Sequence, residues 1–119
     1  MSSPMNSRIE TEVHPRAVVV RFLDSRITEI GLIETLGEQL NHVIERNGQV
    51  RIVLNFDRVS FMASYFLAKL LRFQGRLETY GGRLALCQME PSLLDILNAC
   101  GMKKCFHIYK TENEALKSF

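Results

Sequence analysis

Apolar residues recur along this chain with two different periods, and each change of period marks the edge of an element. "AVVVRFL" at 17–23 is crowded with β-branched side chains and ends at Asp24-Ser25, which predicts a strand. Ile9 to Val13 predicts a shorter strand, turned back onto it through His14-Pro15. From Leu32 to Asn47 the positions Leu32, Leu36, Leu40, Val43 and Ile44 share one helical stripe, and Gly48 supplies the stop. "RIVLNF" at 51–56 is apolar without alternation, the pattern of a central strand buried on both faces.

A second helix is expected from Ser64 to Tyr80. Phe66, Leu70, Phe73 and Leu77 form its inner face, Lys69, Arg72 and Arg76 lie off it, and Gly81-Gly82 ends it. "RLALC" at 83–87 predicts a strand, Pro91 suits the first turn of a helix over about 91–100 closed by Gly101, and "FHIY" at 106–109 predicts the last strand. In "TENEALKSF", Thr111 and Glu114 have capping-box spacing ahead of a short helix with Ala115, Leu116 and Phe119 on its apolar side. The order β-β-α-β-α-β-α-β-α predicts an α/β fold, a mainly parallel or mixed sheet of about four to five strands with helices packed on it. Residues 1–7 are small and polar and expected to be loose, which leaves 8–119 as a single domain.

Composition narrows the classes of function. A chain of 119 residues, 46% hydrophobic and 24% charged, can bury a core without staples. Fifteen basic against 13 acidic residues leave a formal charge of +2, too balanced for a surface that tracks nucleic-acid phosphates. No run approaches a membrane span, and "MSSPMNSRIETEVHP" has no apolar signal region, so a cytoplasmic protein is expected, with no membrane partner. Cys87, Cys100 and Cys105 are odd in number, lack zinc-site spacing and stand in apolar surroundings, which predicts reduced core thiols.

In open α/β sheets, sites form beyond the carboxyl ends of strands, where the next helix presents unpaired amides. "DRVSFMAS" at 57–64 is that place here, and Ser64 on its own account reads as a helix N-cap. Asp24 and Asp57 both follow strands and, if adjacent, could hold Mg²⁺ as in a receiver-like phospho-acceptor at Asp57, although the β-β start does not suit that fold. As a turn residue, Asp57 needs no such role. No glycine loop for a nucleotide is present, and His14, His42 and His107 share no motif with one another or with Cys105. Arg72, Arg76, Arg83, Lys103 and Lys104 read either as a basic patch or as a solvated face.

From Val50 to Leu116 the chain resembles the STAS domain of bacterial anti-sigma-factor antagonists. The resemblance is carried by Ser60-Phe61-Met62 before the second helix, Gly81-Gly82-Arg83-Leu84, Pro91, Gly101, and Phe106-His107-Ile108-Tyr109-Lys110-Thr111-Glu112, in that order. In the family, a strand leads into "SFMDSSG", whose first serine after the aspartate is phosphorylated by a partner kinase that also serves as the anti-sigma factor. By position that serine is Ser64, whereas Ala63, Tyr65 and Phe66 replace its aspartate, second hydroxyl residue and glycine. The earlier turn, with Asp24, Ser25, Arg26 and Thr28, matches more loosely, its glycine absent.

The resemblance implies a non-enzymatic signalling protein without cofactor or metal, which binds an anti-sigma factor or serine kinase and is switched at Ser64. The implied partner surface comprises Asp24, Ser25, Thr28, Ala63, Ser64, Tyr65 and Phe66. The alternative is a STAS scaffold or self-associating module, a homodimer included, that has lost phosphorylation with its altered motif.

Overall fold

In the computed structural model, which describes residues 7–119, the central strands are buried on both faces and helices cover the sheet unequally. Strands β1 (Ile9–Val13) and β2 (Val18–Phe22) form the expected hairpin. Strands β4 (Arg51–Asn55), β6 (Arg83–Cys87) and β7 (His107–Tyr109) then join β2 in parallel, giving the five-stranded order β1-β2-β4-β6-β7. Two further strands, β3 (Arg26–Ile27) and β5 (Phe61–Met62), make a separate two-residue parallel ladder that the sequence pattern did not reveal. The expected loose stretch at 1–7 lies outside the described residues except for Ser7, whose hydroxyl donates to the Ile9 carbonyl at 3.0 Å.

Alternate residues of the inner strands feed two cores. Val18, Val20, Phe22, Ile52, Leu54, Leu84 and Leu86 point to one side. There they meet helices α1 (Ile30–Asn47), α2 (Ser64–Thr79) and α3 (Pro91–Ala99). Ala17, Val19, Val53, Ala85 and Cys87 point to the other side, where the short C-terminal helix α4 (Glu112–Lys117) covers them with Ala115, Leu116 and Phe119. That double burial is why β4 reads as an unbroken apolar run.

Helix boundaries follow local chemistry. Gly48 adopts φ 62° and returns its amide to Ile44, Pro91 opens α3, and Thr111 with Glu114 forms the capping box expected for α4. Helix α1 starts at Ile30, two residues before the apolar stripe, because Glu29 turns extended there and its carbonyl accepts from Ile33. Helix α2 stops at Thr79 rather than Tyr80. Phe106 precedes β7 rather than belonging to it, and follows a 3₁₀ turn at Lys103–Cys105. Cys87 is buried as expected, but Cys100 and Cys105 are exposed, since the end of α3 and the 3₁₀ turn present them outward.

Candidate functional site

The segment between β4 and α2 is held course by course against the turn after β2. Ser60 and Phe61 amides both donate to the Ser25 carbonyl, at 2.8 and 3.2 Å, and the Ala63 amide donates to Ile27 at 2.9 Å. The Ser60 hydroxyl also donates to Ser25, at 3.1 Å. These bonds and the β3–β5 ladder bring Asp24, Ser25 and Thr28 beside Ala63 to Phe66, so the two halves of the expected surface lie together.

Ser64 is exposed, but it is not the N-cap. Ala63, extended at φ −79° and ψ 154°, occupies that position without a side-chain bond, and its carbonyl accepts from Phe66 at 3.0 Å. Ser64 is therefore the first residue inside α2, where the helix was expected to start, and only the capping position differs, falling to Ala63. A hydroxyl there is not needed to cap the helix, and a charged phosphoryl group there would meet the positive end of a helix dipole.

Phe66 is completely buried and packs edge-on against Phe22 at 5.6 Å, while Phe22 meets Phe56 at 5.1 Å. It thus supports the surface from within rather than facing a partner. Tyr65 points out and is 43% exposed. Its hydroxyl donates to Glu34 on α1, and Lys69 donates to the other carboxylate oxygen of Glu34 at 3.0 Å while lying 5.5 Å from the Tyr65 ring centre. The bond from Tyr65, then that from Lys69, holds the Glu34 carboxyl below its ordinary range, and the same carboxylate pushes the Tyr65 phenol up. Sequence reasoning did not identify Glu34, because nothing at position 34 signals a contact with residue 65.

Exposed apolar side chains continue the surface. Phe61 lies under the Arg26 guanidinium at 4.8 Å, and Leu23 and Ile30 are also exposed. Asp24 pairs with Arg8 at 3.2 Å. Asp57 lines a cleft of about 170 Å³ with Arg21, Phe22, Asn55 and Arg58, so its neighbours there are two arginines rather than a second acid. Among the described residues, no three His, Cys, Asp or Glu side chains gather as a metal site would require. The basic residues are dispersed: Lys69 and Arg76 pair across the α1–α2 groove with Glu34 and Glu45, whereas Arg83 reaches Tyr109 and Ser118 on the opposite side of the sheet.

A mixed five-stranded sheet, with a two-residue ladder where the approach to a helix start meets the turn after β2, defines an α/β domain. The STAS domain family model matches residues 8–115, and the chain belongs to that family. It is 30% identical over 115 residues to an anti-sigma F factor antagonist of Paenibacillus polymyxa, covering 94% of each chain. Similar folds include the unphosphorylated form of the anti-sigma factor antagonist SpoIIAA, 25% identical with TM-score 0.75 over 92% of this chain and 94% of that one. The phosphorylated form of SpoIIAA, described as a Bacillus cell fate determinant, gives a TM-score of 0.67 at 25% identity over 92% and 97%. A STAS domain protein of Planctomyces limnophilus shares the fold at TM-score 0.81 and 22% identity, over 92% and 96%. No described helix is long and apolar enough to cross a membrane.

Proposed function

We propose that this protein is a cytoplasmic anti-sigma-factor antagonist that acts by binding another protein, with Ser64 as the hydroxyl whose phosphorylation ends that binding. The observation that carries the reading is the placement of Ser64: exposed, first in α2, free of any capping role, and bordered by the exposed rings of Phe61 and Tyr65. The relatives named above support it, one as an anti-sigma F factor antagonist and one solved both with and without phosphate. The partner surface runs from Asp24, Ser25 and Thr28 to Ala63, Ser64 and Tyr65, and Phe66 supports it from below.

The protein itself supplies no catalysis in this scheme. The γ-phosphoryl group of a nucleoside triphosphate held by the partner kinase passes to Ser64 Oγ as its bond to the β–γ bridging oxygen breaks, the nucleoside diphosphate is the leaving group, and the hydroxyl proton leaves to a base on the kinase. The product adds roughly −1.5 to −2 charge beside Tyr65, enough to oppose a close apolar contact by desolvation and repulsion. At the first turn of a 16-residue helix that charge is compatible with the backbone, so binding is switched while the fold is kept.

A scaffold reading has its own support in the clasp on Tyr65. A ring held by Glu34 and Lys69 before any partner arrives loses little freedom on binding, with or without phosphate. Intact mass and site mapping of the protein, isolated from its native cell under phosphatase inhibition, separates the two readings. The switch predicts one phosphoryl group, mapped to Ser64 and absent from Ser64→Ala. A chain unmodified at Ser64 in its free pool as well as in its partner-bound pool would instead establish the scaffold.

A further inference from the structure

The loop that delivers Ser64 is tied, at its beginning, to the opposite face of the sheet. Asn55, the last residue of β4, is one of the two buried polar residues among those described. Its side-chain nitrogen donates to Glu112 Oε1 at 2.9 Å, and its oxygen accepts from the Asp57 amide at 2.8 Å. Glu112 opens α4, and the same carboxylate oxygen accepts from Arg21 at 2.7 Å. The Glu112 amide donates to Gln88 Oε1 at 3.2 Å, and Gln88 sits at φ 58°, a left-handed conformation that a residue with a Cβ adopts only when its surroundings hold it there. The Gln88 amide is held in turn by the Lys110 carbonyl at 3.2 Å.

A buried amide that gives its donor to one element and its acceptor to another relays position between them. If the Glu112 carboxylate is removed, the nearly buried Asn55 nitrogen, on a residue only 7% exposed, loses its protein acceptor. The side chain must then turn or move to be satisfied, and either change takes its oxygen away from Asp57. Beyond Asp57 the chain turns where the Val59 amide donates to Phe56, then runs directly into the amides of Ser60, Phe61 and Ala63 that dock on Ser25 and Ile27.

We propose that Asn55 and Glu112 are positioning residues for the Ser64 surface: α4, packed on the face away from α1 and α2, sets the course of loop 56–63 through this relay. The functional meaning rests on the partner-surface reading above, but the test needs neither partner nor phosphate, so the two can fail separately. Hydrogen exchange followed at single amides in the full chain provides it. In Glu112→Ala, exchange at Ser60, Phe61 and Ala63 is expected to rise about tenfold while Leu70 to Leu77 in α2 stay unchanged. Asn55→Ala should reproduce that pattern. Glu112→Gln, which keeps an acceptor oxygen in reach of Asn55, should restore most of the protection.

Arg83→Ala is the control, because it releases the far end of α4, where Arg83 holds Ser118 at 2.9 Å and stacks on Phe119 at 4.6 Å, without touching the relay. It should leave the three loop amides as they are. The proposal is overturned if Glu112→Ala speeds exchange only in α4 and at Gln88. It is equally overturned if Arg83→Ala loosens the loop as much as Glu112→Ala, since general docking of α4 would then explain the effect.

Discussion

At the scale of single residues, the three positions where the chain departs from the family's "SFMDSSG" pattern have different physical consequences. Phe66 fills the core against Phe22, so Phe66→Ala should lower the unfolding free energy by about 3–5 kcal/mol in urea titration. Ala63 stands at the N-cap of α2 with nothing to offer the unpaired amides, where the family pattern has an aspartate. Ala63→Asp should therefore stabilise the protein by about 1 kcal/mol in the same titration. Tyr65 is bound to a carboxylate that disfavours its phenolate, whereas Tyr109 is pulled below the ordinary phenol range by Ser118 and then Arg83. Ultraviolet titration should therefore show Tyr109 ionising first and Tyr65 late. Glu34→Gln, by removing the negative charge, should bring the late transition down towards the ordinary value near 10 and leave Tyr109 where it was.

At the scale of elements, the boundaries legible in the sequence were those made by one residue's own chemistry. Gly48, Pro91 and the Thr111–Glu114 box work through bonds to near neighbours, and the structure has each where the pattern placed it. Thr111→Ala should cost about 1 kcal/mol and fray α4, visible as faster exchange at Glu114 and Ala115. By contrast, β3 and β5 are two residues each and exist only because Ser25 and Ile27 meet Ser60 to Ala63 across more than thirty positions of chain. No periodicity can show in two residues. Gly82 combines both cases: its turn was readable, but its need to lack a side chain was not. A Cβ there would lie 2.0 Å from the Val50 carbonyl oxygen, so Gly82→Ala should force the start of β6 away from Val50, just before β4, and cost about 3 kcal/mol.

At the scale of the whole molecule, the sheet separates a heavily covered face from one closed by a single short helix. Cys87 reports on the second face. Burial, followed by the Glu112 charge, pushes its thiol up to about 12, while Cys100 and Cys105 are exposed. A thiol reagent at neutral pH should therefore label Cys100 and Cys105 in the native protein and reach Cys87 only on unfolding or release of α4. The expectation that all three were core thiols failed because apolar neighbours in sequence do not determine which side of a helix end faces water. The basic patch failed for a related reason: Arg83 was grouped with Arg72 and Arg76 by charge, yet strand alternation sends it through to the opposite face.

The sequence by itself determined the α/β class, the hairpin, the parallel core strands, the helix stops and the place of the candidate site. All of these follow from periods of 2 and 3.6 and from glycine, proline and capping side chains acting over a few residues. Tertiary structure alone decided that Ala63 rather than Ser64 caps α2, that Phe66 turns in while Tyr65 turns out, that Glu34 holds Tyr65, and that Asn55 links the loop to Glu112. Each of these depends on which distant element the folded chain brings within bonding distance, and local sequence periodicity carries no record of such distances.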